Sequence, residues 1–589
     1  MSARTTYTVL EESARFWPDV PALQQPAGKG KYDTYTFAEF AAAAREIACA
    51  LHQNGVVKGE NVALYTETRA EFYLADLGIM ACGGVSAALY TSYPLPDQIR
   101  NLEAAGINVI FVEDAKSLRA LRAATGDRLT HLRWILLTGE AGDTGALTLR
   151  ELREAGRAAM AVDPGLFERL RAGVRAEDPA ILYLTSGATG EPKMGLTSHA
   201  AVVANADMGP ESLGFQPGEN TIVFLPSAHI AQRVVLEFVT LRMGVTVWFS
   251  ESLSRLPAEL RAVRPEFFLA PPRVWERMYA SIGTEVRKKN QLSQRLFYSA
   301  VGLGLHVGRL QMAGKPVPGH LRAPWKLAQR LVFSKIRERL GGRLRVAASG
   351  AAPLGKDLAS FFAAVGMPLV EGYGLTEGGV VTLNPLDRPK SGSIGKALPG
   401  VELRLAEDGE LLVKSPALFS GYYRDPEATA SVLRDGWLYT GDIAEIDDEG
   451  YVYITGRKKE LIVSSNGKKI YPARIETLFK TEPVINQVLL IGDRLPYVTA
   501  LFTLNAAHPD ELRSMARSPQ VFEQVKSAVS RVNKQLPGFE QIRKFKILER
   551  DFTIEQGEMT PTMKIRRNRV LENFRPEVNE MYAGKEESQ

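Results

Sequence analysis

The sequence predicts an α/β protein with a large N-terminal domain and a small C-terminal domain. With 589 residues the chain is too long for one hydrophobic core, so we expect at least two domains. Short β-rich runs alternate with helical patterns through the first two-thirds of the chain, which is typical of α/β domains that contain parallel sheet. After about residue 400 the predicted strands are separated by Gly, Asp and Pro turns, which indicates a small antiparallel subdomain.

The predicted strands are short apolar runs bounded by turn residues, as buried strands are. In the α/β part they cover residues 61–65, 108–112, 134–137, 181–184, 221–225, 246–249, 266–270 and 344–348. Segments 70–80 and 354–364 have apolar residues at helical spacing, so we predict helices there. In the antiparallel part the predicted strands cover residues 401–405, 410–413 and 452–454.

A last compact α+β unit is predicted to begin near residues 457–460. A turn at Asn466-Gly467 and a helical pattern over 472–480 follow this point. We therefore predict an N-terminal domain over 1–457 and a C-terminal domain over 458–589.

Composition and charge limit the class of protein. Hydrophobic residues make up 45% of the chain and charged residues 24%, which argues against wholesale disorder. Cys49 and Cys82 match no metal or redox spacing, so we expect a reduced, cytoplasmic setting. No apolar run approaches the length of a membrane span and the N-terminus lacks a signal-peptide pattern, so a soluble or peripheral protein is expected.

A loop rich in hydroxyls and glycines follows the strand at 180–184. It reads Thr-Ser-Gly-Ala-Thr-Gly-Glu-Pro-Lys over 185–193, and it is not a Walker A motif. Glycines let backbone N–H groups approach phosphate oxygens, hydroxyls add donors and the lysine adds charge, although such a loop alone is more often a plain turn. The candidate phosphate-binding residues are Thr185, Ser186, Gly187, Thr189, Gly190 and Lys193.

This loop resembles the phosphate loop of the adenylate-forming superfamily, which includes acyl-CoA synthetases, luciferases and peptide-synthetase adenylation domains. Further motifs similar to that family's follow in the same order. They are LPSAH at 225–229, SGAAP at 349–353, EGYGLTE at 371–377, YTGD at 439–442, GRKK at 456–459 and PTMK at 561–564. The resemblance implies that a carboxylic acid attacks the α-phosphate of ATP, with Mg²⁺ present, and that the acyl group then passes to coenzyme A.

The resemblance also implies roles for individual residues. Lys564 would bridge carboxylate and phosphate, His229 would lie near the reacting carboxylate, and Thr376 would bond the α-phosphate. Glu377, with Thr189, would hold Mg²⁺. The expected nucleotide contacts are Gly350, Ala351 and Ala352 beside adenine, Tyr373 stacked on adenine with Gly374 next to it, Asp442 on the ribose hydroxyls and Arg457 on ribose or phosphate.

In that family the C-terminal domain swings after adenylation and opens a tunnel for pantetheine. Lys459 matches the hinge position, and Gly467 matches the tunnel glycine. Three positions depart from the family pattern: Ala188, where threonine is common; Met194, where glycine is usual; and Arg474, where glutamate is frequent.

Two features resemble long-chain acyl-CoA synthetases in particular: APPRVWE at 270–276 and a helical insert at about 286–345. Glu338 is the only acidic residue among the many Lys and Arg residues of that insert. The insert is either a solvated helical face or a surface for anionic phospholipid or the phosphates of coenzyme A. A long-chain fatty acid–CoA ligase is therefore the leading hypothesis.

Two alternatives stay open. An acyl-AMP ligase would load a carrier protein instead of coenzyme A. A non-catalytic lipid- or nucleotide-binding protein could keep the same fold, since each motif residue alone could be structural. Nucleic acid is not an expected partner, because the basic insert carries no recognised motif.

Overall fold

The predicted fold class is confirmed: the chain is an α/β protein with a large N-terminal domain and a smaller C-terminal domain. The computed structural model describes residues 4–186, 192–465, 467–506, 508–560 and 563–583, leaving aside the side chains of Thr185, Ser186, Pro192 and Met312.

Two large, mainly parallel sheets form the centre of the N-terminal part. In spatial order the first sheet contains Lys396–Ala397, Gly379–Leu383, Leu369–Leu375, Val346–Ser349, Phe267–Ala270, Asn220–Val223, Thr246–Phe249, Pro21–Gly28 and Lys31–Thr36. The second contains Gly421–Tyr422, Pro192–Ser198, Pro179–Ser186, Val85–Ala88, Asn61–Tyr65, Val109–Val112, Arg133–Leu136 and Leu147–Thr148. Their central strands are buried along their whole length, which explains their continuous apolar sequences.

Helices cover both sheets. They are Thr6–Phe16, Phe37–Gln53, Ala70–Ala81, Leu95–Ala105, Ala115–Thr125, Leu149–Val162, Leu166–Ala172, His199–Asp207, Gly209–Leu213, Thr240–Met243, Leu256–Val263, Pro272–Arg287, Lys356–Ala364 and Pro426–Val432, with a 3₁₀ turn at Gly142–Thr144 and a π-helix at Gln232–Val239. Local sequence sets several helix starts: Thr36 caps Phe37–Gln53, and Glu39 closes the reciprocal capping box. Ala70–Ala81 is buried on all sides, which accounts for its apolar composition.

The antiparallel subdomain predicted after residue 400 forms a third, smaller sheet. Its strands are Glu402–Leu405, Glu410–Lys414, Leu433–Arg434, Trp437–Ile446 and Val452–Arg457. The short 3₁₀ turn Lys458–Glu460 leads from it into the C-terminal part.

The C-terminal part packs around its own apolar cores and is α+β. Its strands are Ile462–Val463, Lys469–Ile470, Ile485–Ile491, Val498–Leu504 and Ile542–Ile547. Its helices are Pro472–Glu476, Thr477–Phe479 (3₁₀), Pro509–Ala516, Pro519–Asn533, Arg567–Asn573 and Arg575–Tyr582.

The basic insert is helical, as predicted. It consists of Gln291–Met312, Gly319–Ala328, a π-helical stretch Gln329–Phe333 and Ser334–Glu338. Within the residues that the structure describes, no helix combines the length and the apolarity that a membrane crossing needs.

Candidate functional site

A cavity of about 1700 Å³ opens where the N-terminal sheets, the antiparallel subdomain and the C-terminal part meet. Most of the predicted site residues that the structure describes line it. These are Lys193, His229, Gly350, Ala351, Tyr373, Gly374, Thr376, Glu377, Arg457, Lys459 and Lys564. Motifs that are up to about 370 residues apart in the chain therefore converge on one space.

The phosphate loop is the tip of an antiparallel hairpin. Strands Pro179–Ser186 and Pro192–Ser198 pair, with Thr185 opposite Lys193. The predictions for Gly187, Ala188, Thr189 and Gly190 lie outside the described residues, as do those for the side chains of Thr185 and Ser186. Met194 lies within the second strand and packs against a buried apolar cluster.

Thr376 lies directly against this hairpin. A Cβ atom built on Gly195 would be 3.3 Å from the Thr376 Cγ2 atom, so only a glycine leaves full space for the threonine there. This close approach joins the 371–377 motif to the strand that carries Lys193.

Glu377 is held by a residue that the sequence did not point to. The Tyr422 hydroxyl donates a 2.6 Å hydrogen bond to Glu377 Oε1, and the Lys193 ammonium lies 4.7 Å from the centre of the Tyr422 ring. Tyr422 is positioned because Gly421–Tyr422 pairs with the strand Pro192–Ser198. Its short run, Gly-Tyr-Tyr-Arg, carries no signal that would have identified it.

Asp442 and Arg457 are opposite each other on neighbouring antiparallel strands. Arg457 Nε donates to Asp442 Oδ1 at 2.7 Å, and the Tyr373 hydroxyl donates to Asp442 Oδ2 at 2.6 Å. Burial lowers the pKa of Arg457, but the Asp442 carboxylate more than offsets this and raises it above its ordinary value. The Asp442 side chain is buried just behind the cavity wall, so the three side chains form a fixed polar group at one edge of the cavity.

His229 is an uncharged hydrogen-bond donor. Burial, together with the positive charge of Lys564, lowers its pKa to about 3. The backbone N–H of Ala231 donates to His229 Nδ1 at 3.2 Å, so the ring proton is assigned to Nε2.

Lys564 lies in the cavity, within electrostatic reach of both the polar edge and His229. The Thr560 N–H donates to the Lys564 carbonyl at 2.8 Å. The Lys564 side chain is exposed, and it lies among the residues that line the cavity. Desolvation by the surrounding protein and the nearby Arg457 lower the pKa of Lys564, and Asp442 and Glu377 oppose them.

Part of the cavity wall is apolar, and we call this part the apolar branch. It comes mainly from the π-helix and from the start of the short helix Gly209–Leu213. The lining residues are Met208, Gly209, Leu213, Ile230, Val234, Val235, Val239, Phe267 and Leu269. A cavity with both polar and apolar walls suits a molecule with a charged head and a hydrocarbon tail.

Besides Asp442, two predicted site residues, Ala352 and Gly467, do not line the cavity in this arrangement of the chain. Ala352 is not among the lining residues, although Gly350 and Ala351 are. Gly467, predicted at the coenzyme A tunnel, is in a turn with a φ angle of +72° and with open space around it. Arg474 pairs with Glu540 inside the C-terminal part, away from the cavity.

The cavity fits a magnesium ion that arrives with a nucleotide. Among the residues that the structure describes, no group of three or more His, Cys, Asp or Glu side chains forms an all-protein metal site. Mg²⁺ commonly binds through one or two carboxylates together with substrate phosphates, and Glu377 supplies such a carboxylate.

Comparison with known proteins agrees with the geometry. The chain is 34% identical over 570 residues to the long-chain-fatty-acid–CoA ligase FadD15 of Mycobacterium bovis, covering 94% of this chain and 93% of that protein. It is 30% identical over 623 residues to the long-chain-fatty-acid–CoA ligase ACSBG2 of Rattus norvegicus, covering 98% and 92%.

Solved structures share the fold. An anthranilate CoA ligase in complex with anthranoyl-AMP matches with a TM-score of 0.75 and 18% identity, covering 97% of this chain and 98% of that one. A Mycobacterium tuberculosis fatty acyl CoA synthetase matches with a TM-score of 0.62 and 22% identity, covering 97% and 99%. Residues 10–423 match the AMP-binding enzyme family and residues 459–586 match its C-terminal domain, so the chain belongs to the AMP-binding enzyme family.

Proposed function

We propose that this chain is a long-chain fatty acid–CoA ligase that forms an acyl-adenylate and then an acyl-CoA thioester. The observation that carries the proposal is the meeting of Lys564, His229 and Glu377 in one cavity whose wall includes the apolar branch. The names of the relatives support the same reaction.

Adenylation brings two anions together, so positive charge must offset their repulsion. The carboxylate oxygen attacks the α-phosphorus of ATP, and the bond to the bridging oxygen of pyrophosphate breaks. Lys564 supplies a cation between acid and phosphate, while Lys193 and Thr376 bind the phosphates. His229, neutral with its proton on Nε2, donates a hydrogen bond to the acid without adding a charge.

Asp442, Arg457 and Tyr373 form the proposed nucleoside end of the site. An ionised carboxylate is an acceptor-only group, which suits the two hydroxyls of a ribose. The Arg457 side chain holds that carboxylate in place. Glu377, with Thr189, would hold a Mg²⁺ ion, which would neutralise charge on the phosphates when bound.

The thioester step needs a second arrangement of the C-terminal part. In the present arrangement Lys564 occupies the cavity and Gly467 lies outside it. A rotation at Lys459 would withdraw Lys564 and bring Gly467 to the channel through which pantetheine enters. The thiol of coenzyme A then attacks the acyl carbonyl, and AMP leaves.

Pyrophosphate release with fatty acids of increasing length, with and without coenzyme A, tests the proposal. We expect activity to peak with long chains and acyl-CoA to form only with coenzyme A. Acyl-AMP that accumulates and ignores coenzyme A would favour a ligase that loads a carrier protein.

Lys564→Ala tests the role of the lysine. Removing a preorganised charge from an adenylation site is expected to slow pyrophosphate release about 100-fold or more. Exposed Lys526 on the helix Pro519–Asn533 gives a matched control, Lys526→Ala, which should retain activity. Unchanged pyrophosphate release in Lys564→Ala would contradict the mechanism and revive the non-catalytic alternative.

We also propose that the protein is cytoplasmic and associates peripherally with anionic membrane through the basic insert. Large apolar side chains are exposed there among the Lys and Arg residues, a combination suited to a phospholipid surface. They are Leu292, Leu296, Tyr298, Leu327 and Leu331, between 53% and 78% exposed.

Sedimentation with phosphatidylglycerol or phosphatidylcholine vesicles tests this association. We expect binding to the anionic vesicles that weakens with salt, and weaker binding for a Leu292→Ser/Leu296→Ser variant. Val162 is exposed on a helix outside the insert, so Val162→Ser is the control. Equal binding to both vesicle types would contradict an electrostatic surface.

A further inference from the structure

One part of the APPRVWE motif packs inside the N-terminal part, and its charged residues face the C-terminal part. It opens the helix Pro272–Arg287, and the Trp275 ring is fully buried between Phe268 and Phe362. The Trp275 Nε1–H is shared between the carbonyls of Ala270 and Ala348, each at 3.2 Å. Trp275 thus fixes the first turn of the helix on the sheet, and the two charged residues of the motif remain for other contacts.

Those charged residues, Arg273 and Glu276, contact the C-terminal part. Glu276 Oε1 lies 3.0 Å from the Lys480 ammonium, and Glu276 Oε2 lies 3.1 Å from Arg273 Nη1. Arg273 also donates to the backbone carbonyl of Asn486, and Lys480 donates to the carbonyl of Pro353. The network therefore ties one N-terminal helix and the 349–353 turn to two C-terminal residues.

The network is partly shielded from water. The side chains of Glu276, Lys480 and Arg273 are 11%, 21% and 26% exposed. Burial raises the pKa of Glu276, but Lys480 and Arg273 outweigh it and hold that pKa below its ordinary value. Removing one member of such a group leaves its partner charged and poorly solvated, unlike a change in an exposed surface pair.

Lys480 and Lys564 belong to segments that hydrogen bonds connect within the C-terminal part. Arg567, three residues after Lys564, donates to Glu476 Oε1 at 2.8 Å and to the Leu490 carbonyl at 2.6 Å. Glu476 ends the helix that leads through a 3₁₀ turn to Lys480. Wherever the C-terminal part moves as a unit, the contact at Lys480 and the placement of Lys564 in the cavity change together.

We propose that Arg273, Glu276, Lys480 and Asn486 form an interdomain latch that holds Lys564 in the adenylation position and must open before acyl transfer. The latch rests on the proposed function and adds to it a control of the movement of the C-terminal part. Its strength sets the balance between the two half-reactions: a tighter latch favours adenylation, and a looser one favours transfer to coenzyme A.

Three variants test the latch: Lys480→Ala, Glu276→Gln and the two combined. Adenylation is measured as fatty-acid-dependent exchange of pyrophosphate into ATP, and transfer as single-turnover acyl-CoA formation from preformed acyl-adenylate. We expect each single variant to raise the ratio of transfer rate to adenylation rate about fivefold. The combined variant should add little more, because both changes remove the same interaction. Lys526→Ala is the matched control and should leave the ratio unchanged.

A second readout follows domain position directly. Cys49 and Cys82 are buried, so a donor and an acceptor dye can be attached to cysteines introduced at exposed Val162 and Asp510, one in each part of the chain. Energy transfer between the two dyes then reports the distance between the two parts. With Mg-ATP alone, Lys480→Ala should populate an open arrangement about fivefold more than the unsubstituted chain. This measurement does not depend on the identity of the acid, so it separates failure of the latch from failure of the proposed substrate.

An unchanged rate ratio in the three variants, together with unchanged energy transfer, would overturn the latch. An equal fall in both half-reactions would also overturn it, because a purely structural role predicts that result. If the unsubstituted chain activates no fatty acid but Lys480→Ala still shifts the energy transfer, the latch stands and the proposed substrate fails.

Discussion

Two histidines have strongly lowered pKa values: one lies at the cavity, and the other is buried elsewhere in the N-terminal part. His229 lies at the cavity with a pKa of about 3, and His199 lies inside the N-terminal part with a pKa of about 4, in both cases mainly through burial. His199 Nδ1 accepts hydrogen bonds from the Thr6 backbone N–H at 3.3 Å and from the Thr6 hydroxyl at 2.9 Å. Both rings are neutral near pH 7, so His229 adds no positive charge to the cavity.

These depressed pKa values predict loss of stability in acid. A histidine with a folded pKa below its unfolded value of about 6.5 contributes stability above pH 6.5, and that contribution falls with pH until the folded pKa is passed. Between pH 6.5 and 5.0 we expect His199 to account for a loss of about 1–2 kcal/mol in the free energy of unfolding.

Urea unfolding of the unsubstituted chain and of His199→Asn at pH 7.5, 6.5 and 5.0 measures this loss. The variant should lose less stability over the acid interval, while His52→Asn, at an exposed position, should behave like the unsubstituted chain. Identical pH dependence in all three would contradict a neutral buried His199.

The wall of the apolar branch depends on one unusual element, the π-helix Gln232–Val239. π-Helical turns are rare and often occur at functional sites. Here the element presents Val234, Val235 and Val239 to the cavity while Arg233 and Glu237 are buried on its other side. A Cβ atom on Gly209 would be 2.5 Å from Val239 Cγ1, so the two helical segments are in close contact and cannot move closer together.

The buried Arg233, which pairs with buried Asp76, and the buried Glu237 leave this element no free space on its other side, so Val235→Trp should shorten the acyl chain that the cavity accepts. We expect kcat/KM for palmitate to fall at least about tenfold and kcat/KM for hexanoate to change less than about threefold, since each excluded methylene costs about 1 kcal/mol or more. The measurement is pyrophosphate release over a chain-length series. Val235→Ala, which enlarges the branch, is the control; an equal loss on both acids in Val235→Trp would place the acyl chain elsewhere.

At the scale of the whole molecule, the cavity belongs to no single part of the chain. Lys193, Tyr373, Arg457 and Lys564 reach it from different structural units, and the latch lies on another side of the same junction. A ligand that contacts several units stabilises their joint arrangement, because it binds the folded assembly and not the unfolded chain.

Mg-ATP should therefore raise the temperature of unfolding. At about 100 times its dissociation constant, the nucleotide is expected to add roughly 2.7 kcal/mol to the free energy of unfolding. Arg457→Ala should reduce the shift, because Asp442 then loses the partner that orients it. Differential scanning calorimetry at fixed nucleotide concentration measures the effect, with Lys526→Ala as the reference; a full shift in Arg457→Ala would remove this edge from the nucleotide site.

Local sequence pattern was sufficient to predict many strands and helices of the N-terminal part. The predicted strand over 246–249 coincides with Thr246–Phe249, and the predicted helix over 70–80 ends one residue from the observed Ala70–Ala81. Such elements can be predicted from sequence because apolar periodicity, caps and turn residues act within a few residues of the chain. The family resemblance of the motifs implied one shared site, and Lys193, Thr376 and Lys564 line the same cavity.

Other features depend on residues that are far apart in the chain. Tyr422 reaches Glu377 across 45 positions through a strand pairing, and Arg273 and Glu276 meet the C-terminal part only when two separately packed units dock. The sequence shows a tyrosine and a charged motif at these places, but it does not show their partners. Local propensity establishes which elements form and which chemical groups are available, whereas long-range packing decides which of those groups come into contact.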